Sequence, residues 1–100
     1  MGPEATDAAF DAAALHAALR GKRCAIKVAL LDQRVVAGLG NIYAAEALWH
    51  ARVDPRAVAG TVSRARCARI VDGARQALAD AAADPGRYQD GDAVERLNVY

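Results

Sequence analysis

The sequence predicts an all-α fold of about five helices with an irregular carboxyl-terminal tail, and three observations support this prediction. Alanine supplies 26 of the 100 residues, and it has the highest helix propensity of all amino acids. Apolar residues recur at three- and four-residue spacing along most of the chain. Residues that commonly cap or end helices stand between these periodic stretches. Because only five residues are aromatic, we expect a single small domain with a core of mostly small side chains.

The first two predicted helices precede a glycine-rich break. The first runs from a cap at Asp7 to about Leu19, and Gly21 ends it. The second begins near Ala25 and breaks within residues 35–40, because two glycines in three residues disfavour helical structure.

Two more predicted helices follow this break. Asn41 is the predicted cap of a helix over residues 42–51, where apolar residues again fall at helical spacing. Asp54 is a capping residue, and Pro55 after it suits the first position of a helix. This pair therefore predicts a short fourth helix.

The longest predicted helix begins at Thr61 or Ser63 and continues to about Ala83. Residues 84–86, which include a proline and a glycine, end it. The tail that follows is charged until residues 97–100, which look like the first residues of a strand.

The net charge of +1 conceals a basic middle of the chain. Residues 20–75 contain eleven Lys and Arg against four acids, a net of +7, whereas residues 1–19 and 76–100 each carry −3. Such a segment often marks a nucleic-acid surface, because neutralising phosphates releases counterions. A solvated helix face explains the same charges equally well.

Several other classes of protein are excluded. The chain has no apolar run of the roughly 18 to 20 residues that a membrane span needs, and its start lacks the features of a signal peptide, so we expect a cytoplasmic protein. Cys24 and Cys67 are far apart and are expected to be reduced structural thiols rather than zinc ligands. His16 and His50 fall on separate helices, which gives no metal-binding pattern.

The most informative stretch reads as helix, tight glycine turn and helix. Gly38 and Gly40 permit positive φ and leave the backbone of the turn uncovered. The amides at the start of the Asn41 helix would then be free to bind an anion. With Lys27 and Arg34 nearby, a nucleic-acid phosphate is the natural anion. The alternative is a plain helix–helix turn in which Asn41 acts only as a cap.

Residues 25–55 resemble the helix–two-turn–helix module of formamidopyrimidine-DNA glycosylases, bacterial base-excision enzymes that remove oxidised purines, and more distantly that of endonuclease VIII relatives. The resemblance rests on the run AIKVALLDQRVVAGLGNIYAAEALWHARVDP, with its contiguous LLDQ, the turn GLGNIYA, the following EAL and the final DP. It implies a monomeric bacterial protein that is associated with the nucleoid and binds double-stranded damaged DNA during repair.

The resemblance also implies which residues contact DNA. Asn41 would bind a phosphate flanking the damaged nucleotide through its side chain and the neighbouring amides. Lys27 would contact the DNA backbone or the flipped-out lesion. The further candidates are Tyr43 and the backbone at Gly38 and Gly40.

Domain boundaries follow from the same resemblance. Residues 1–6 resemble the linker that precedes this helical domain, residues 7–84 form the domain, and residues 85–100 form a loop and the start of a truncated zinc-hairpin strand. Residues 84–95 depart from the pattern of the family loop over the flipped base, so lesion-specific contacts are not expected there.

The resemblance implies that catalytic parts of the family lie outside this chain. The family nucleophile is an amino-terminal proline followed by glutamate, and Pro3–Glu4 is a false match. Removal of Met1 would leave Gly2 at the terminus, so Pro3 stays an amide without a nucleophilic lone pair. The zinc-binding cysteines of the full-length family would follow Tyr100. We therefore expect an inactive DNA-binding fragment with no catalytic residue, metal or cofactor of its own.

Two alternatives stay open at this point. One is a residually active glycosylase and AP lyase that uses Pro3 or a lysine as nucleophile. The other is a purely structural helical module that meets protein partners.

Other conspicuous residues have structural interpretations. Trp49 is predicted to anchor the core. Glu46 and Asp32 are predicted to be surface or capping carboxylates rather than an acid–base pair. An extended arginine strip stays open as a weaker alternative, because the following residues do not all share one helical face: Arg64, Arg66, Arg69 and Arg75.

Overall fold

Four α-helices and one 3-10 helix account for the regular structure in the computed structural model, which describes residues 2–84, 86 and 99–100. Within these residues only isolated β-bridges occur and no strand forms, which confirms the all-α class. In chain order the elements are α1 (Ala12–Leu19), α2 (Ile26–Leu31), α3 (Asn41–Ala51), the 3-10 helix (Ala59–Thr61) and α4 (Arg64–Ala83).

Side-chain caps define the starts of two helices. Asp11, and not Asp7 as predicted, begins α1 by accepting the N–H of Ala14 at 2.8 Å. Asp7 accepts the N–H of Ala9 at 2.8 Å and closes a turn before the helix. Ser63 caps α4, as predicted. The sequence offers two aspartates with capping ability, and α1 starts at the later one because the first is used in the preceding turn.

Alanine and glycine allow α3 and α4 to pack closely against each other. A Cβ atom at Gly73 would lie 2.9 Å from Cβ of His50 and 3.0 Å from the carbonyl oxygen of Ala47. The helices thus approach more closely than a methyl group at position 73 permits. Larger residues complete the core on either side, among them the buried Phe10, Leu15, Leu19, Ile26, Leu30, Leu39, Leu48 and Ile70. Buried alanines lie on both helices: Ala44, Ala45, Ala47 and Ala51 on α3, and Ala74 and Ala77 on α4.

Two arginines of α4 hold other segments in place. The Nη2 atom of Arg75 donates to the carbonyl oxygens of Phe10 at 2.6 Å and Asp7 at 3.2 Å. The Nε atom of Arg69 donates to the carbonyl oxygen of Ala51, the last residue of α3, at 3.1 Å. These two arginines therefore hold α4 against α3 and against the segment before α1.

The predicted short helix after Pro55 is replaced by a turn and the 3-10 helix. Asp54 Oδ1 accepts the N–H of Arg56 at 2.9 Å, which closes the turn. The carbonyl oxygen of Ala57 then accepts the N–H of Ile26 at 2.7 Å. Because this segment pairs with the start of α2, its backbone groups cannot form a continuous helix.

Most of the tail lies outside the described residues. This includes residues 87–98, and with them Leu97 and Asn98 of the predicted strand start. Val99 has helical backbone, and Tyr100 packs against the main core. Among the helices that the structure describes, none is long and apolar enough to cross a membrane.

Both cysteines are free thiols. Cys67 is fully buried, and its burial raises the pKa of the thiol, as expected for a structural residue. Cys24 is exposed, so the prediction of a structural role does not hold for it.

Candidate nucleic-acid interface

The turn between α2 and α3 contains most of the predicted site residues. Gly38 adopts φ +82°, in agreement with the prediction of positive φ. Gly40 also permits positive φ but has φ −84° and ψ 178°, an extended conformation open to any residue. No atom lies within 4 Å of the place where a Cβ would stand at either glycine. The backbone of the turn is therefore uncovered.

Asn41 is the first residue of α3 rather than its cap. Gly40 occupies the cap position, and no side-chain hydrogen bond caps the helix. The predicted cap is wrong because Asn41 already has helical backbone, and a residue inside the first turn does not cap its own helix. The Asn41 side chain is exposed and is free of hydrogen bonds to the described residues.

Unpaired backbone amides accompany the Asn41 side chain. The first helical hydrogen bond of α3 runs from the N–H of Ala44 to the carbonyl oxygen of Gly40, at 2.9 Å. The N–H groups of Asn41 and Ile42 therefore precede the helical ladder, and no described residue accepts from them. Such groups carry the positive end of the helix dipole and favour an anion.

The Gly38 amide, by contrast, is occupied. Its N–H donates to Oε1 of Gln33 at 2.7 Å. The N–H of the preceding Ala37 donates to the carbonyl oxygen of Pro3 at 2.8 Å. Sequence reasoning missed Gln33, although it is part of the LLDQ run that precedes the turn.

The charged side chains predicted near the turn differ in their availability. Lys27 lies in the first turn of α2, at the opposite end of that helix from the glycine turn, and forms no ion pair with a described acid. Arg34 pairs with Asp32, with 2.8 Å between Nη2 and Oδ2. The charge of Arg34 is thus balanced locally, whereas that of Lys27 is not.

Tyr43 has a structural environment. It is half-buried and packs against Ala77 of α4. Its side chain therefore joins the start of α3 to α4.

Three further side chains, those of Trp49, Glu46 and Asp32, have structural surroundings that can be compared with their predicted roles. Trp49, predicted to anchor the core, is only half-buried, and the guanidinium of Arg52 lies 4.8 Å from its ring centroid. Glu46, predicted at the surface, is 7% exposed and has a partner, because the middle of α3 is enclosed by its neighbours. Asp32 caps the end of α2 through its backbone N–H, which donates to the carbonyl oxygen of Ala29, whereas its carboxylate accepts from Arg34 and does not cap the helix. No group of three potential metal ligands occurs among the described residues.

The pKa of Asp32, at the end of α2, provides a test of its ion pair with Arg34. The side chain and backbone N–H of Arg34 lower the pKa of Asp32 from 3.8 to about 2. A pKa lowered by folding contributes stability above pH 3.8, and that contribution is lost as the pH falls toward about 2. We expect Arg34→Met to raise the Asp32 pKa in a carboxyl NMR titration. The rise should stop short of 3.8, because the backbone N–H at position 34 still donates.

Arg56→Met is the matched control for this titration. It breaks the equivalent pair with Asp54, whose pKa is lowered by the backbone and side-chain hydrogen bonds of Arg56. It should raise the pKa of Asp54 and leave that of Asp32 unchanged. An unchanged Asp32 pKa in Arg34→Met would contradict the ion pair.

Comparison with known proteins identifies the family of the chain. The family model described as the formamidopyrimidine-DNA glycosylase H2TH domain matches residues 1–90. The formamidopyrimidine-DNA glycosylase of Acidiphilium cryptum (strain JF-5) is 52% identical over 86 residues, and that of Paracoccus denitrificans (strain Pd 1222) is 51% identical over 86 residues. Each match covers 86% of this chain and 31% of the relative.

A solved structure shares the fold. The crystal structure of the MutM (Fpg) protein from Thermus thermophilus matches with a TM-score of 0.75 and 38% sequence identity. The match covers 81% of this chain and 30% of that protein.

Helices and glycine turn together define a helix–two-turn–helix domain. The chain belongs to the formamidopyrimidine-DNA glycosylase H2TH domain family, a family of DNA-repair glycosylases, which confirms the resemblance seen in its sequence. It spans about 31% of the length of the curated relatives that it matches.

Proposed function

We propose that this chain binds double-stranded, damaged DNA in base excision repair by contacting backbone phosphates at the glycine turn, and that it removes no base by itself. The observation that supports this proposal most strongly is the geometry at the start of α3. There the exposed Asn41 side chain stands beside the unpaired N–H groups of Asn41 and Ile42, next to an uncovered backbone.

This arrangement suits a phosphate chemically. A phosphate oxygen accepts several hydrogen bonds at once, and two amides with one carboxamide N–H group can supply them. The α3 dipole favours the negative charge, and the eleven-residue helix is long enough to develop it. Contacts of this kind position a duplex without reading its sequence.

The surroundings of Pro3 support binding without base removal. Its nitrogen belongs to a peptide bond and has no nucleophilic lone pair. Its carbonyl oxygen accepts the N–H of Ala37 at 2.8 Å, so the residue supports the turn. Residues 7–84 would form the DNA-binding domain, and the residues before them a linker-like start.

Fluorescence anisotropy with a labelled duplex tests the proposal. We expect salt-dependent binding by the unaltered chain, because phosphate contacts release counterions. Absence of binding at low salt would favour a structural module that meets proteins. Borohydride trapping on an abasic-site duplex tests the second part of the proposal, since a covalent adduct would show that the chain attacks the sugar itself.

Lys27→Ala should weaken duplex binding about equally for damaged and undamaged sequences. Removing one phosphate contact should also reduce the slope of log K against log salt by about one. Lys22→Ala, which changes the other lysine of the chain, is the matched control and should keep the slope of the unaltered protein. Equal losses in the two variants would show that Lys27 contributes only to the general charge.

A further inference from the structure

We propose that Gln33 is a positioning residue for the phosphate-binding turn, an inference that rests on the proposed function. Gln33 follows α2 directly, and its side chain is exposed. Its Oε1 accepts the N–H of Gly38 at 2.7 Å, and its Nε2 donates to the carbonyl oxygen of Leu31 at 3.4 Å. One carboxamide thereby connects the last residue of α2 to the turn before α3.

This hydrogen bond matters because Gly38 has no side chain of its own to hold it in place. The glycine has φ +82°, and no atom lies within 4 Å of the position where its Cβ would stand. Side chains on either side are fixed in the core, since Val36 and Leu39 are 0% and 1% exposed. Among the described residues, the Gln33 side chain is the hydrogen-bonding partner of the Gly38 amide between these two anchors.

The amino-terminal segment fixes Gln33 in turn. The carbonyl oxygen of Gln33 accepts the N–H of Gly2 at 2.9 Å. The same segment forms a parallel bridge between Glu4 and Ala37. A Cβ at Gly2 would lie 2.6 Å from the carbonyl oxygen of Arg34, so the two backbones are in close contact. Gln33 is therefore held through its backbone while its side chain holds the turn.

The consequence for DNA binding is preorganisation. With Gly38 fixed, the Asn41 side chain and the amides after it keep one geometry before a duplex arrives. DNA binding then immobilises fewer groups, so less conformational entropy is lost and the affinity is higher. Without the Gln33 hydrogen bond, the turn samples other conformations. The apparent affinity for DNA then falls in proportion to the fraction of molecules whose turn has the binding conformation.

Gln33→Met tests this role, because methionine has a similar length and provides no equivalent donor or acceptor. We expect duplex binding to weaken about tenfold, because losing one neutral hydrogen bond shifts the equilibrium between the competent turn and its other conformations by up to about that factor. The thermal midpoint should change little, since the side chain is exposed. Hydrogen exchange at the Gly38 amide should become faster. Gln33→Glu keeps an acceptor and should keep the amide protected.

Two other variants separate the possible outcomes. Gln76→Met alters an exposed glutamine on α4 and should bind as the unaltered protein does. Asn41→Ala reports on the proposed function itself. If Asn41→Ala weakens binding but Gln33→Met does not, the positioning role is overturned and the proposed function stands. If neither weakens binding, both are overturned. Equal weakening in the Gln33 and Gln76 variants would also overturn the positioning role.

Discussion

Gly73→Val should lower the free energy of unfolding by about 3 kcal/mol, the largest stability effect that we expect from a single substitution. The reason is the contact between α3 and α4. A Cβ at this position already lies 2.9 Å from Cβ of His50 and 3.0 and 3.1 Å from the carbonyl oxygen and Cα of Ala47. These atoms belong to the backbone or lie next to it, so side-chain rotation cannot make room. The two helices must separate, and the packing of their buried alanines is lost.

Urea denaturation followed by circular dichroism measures this effect. Ala79→Val is the matched control, because it places the same side chain on an exposed position of α4. Its effect should be about 0.5 kcal/mol, the ordinary difference in helix propensity. Similar losses in both variants would contradict the close approach of α3 and α4 at Gly73.

Asn41→Asp should weaken duplex binding about a hundredfold, the largest functional effect that we expect, because like charges in contact cost several kcal/mol. The substitution barely changes the size of the side chain. It replaces a hydrogen-bond donor by a negative charge at the proposed phosphate site. The stability of the protein should stay equal or rise by about 0.3 to 1 kcal/mol, because the first turn of α3 has no acid and the helix dipole favours one.

Anisotropy and thermal denaturation, measured on the same samples, separate these two effects. Ser63→Asp is the matched control, since it introduces the same charge at the start of α4, where aspartate also caps well. This control should bind DNA within about threefold of the unaltered protein if phosphate contacts concentrate at α3. Equal losses in the two variants would indicate general charge repulsion and would contradict a localised site.

Local patterns in the sequence sufficed to predict much of the fold. Apolar spacing and terminal residues predicted the ends of α3 at Ala51 and α4 at Ala83, and they narrowed the start of α4 to Thr61 or Ser63, of which Ser63 is the cap. The position of the glycine turn and the left-handed backbone at Gly38 were also predictable, because both depend on residues close together in the chain.

Features that depend on distant segments were not predictable. Arg75 binds the carbonyl oxygen of Phe10, 65 residues earlier, and no local pattern indicates such a partner. The segment after Pro55 forms no helix because it pairs with residues next to α2. Glu46 looks like a surface residue until the neighbouring elements enclose α3.

The candidate site likewise contains some features that were predictable from the sequence and others that were not. The uncovered backbone of the turn was predictable from its two glycines, but the cap of α3 was not, because Gly40 and Asn41 are both residues that commonly occupy a cap position. The hydrogen bond from Gly38 to Gln33 spans five residues across a chain reversal. This hydrogen bond forms only in one conformation of the turn. Neither Gly38 nor Gln33 specifies that conformation alone.

Amide chemical-shift mapping with an unlabelled duplex tests the central proposal most directly. Isotope-labelled protein is titrated with the duplex at low salt, and the shift of each backbone amide is followed. If the start of α3 binds phosphate, the largest shifts should occur at Leu39, Gly40, Asn41 and Ile42, with a smaller change at Lys27. Largest shifts at Arg64 and Arg66 at the start of α4, or no shifts at the turn under saturating duplex, would contradict it.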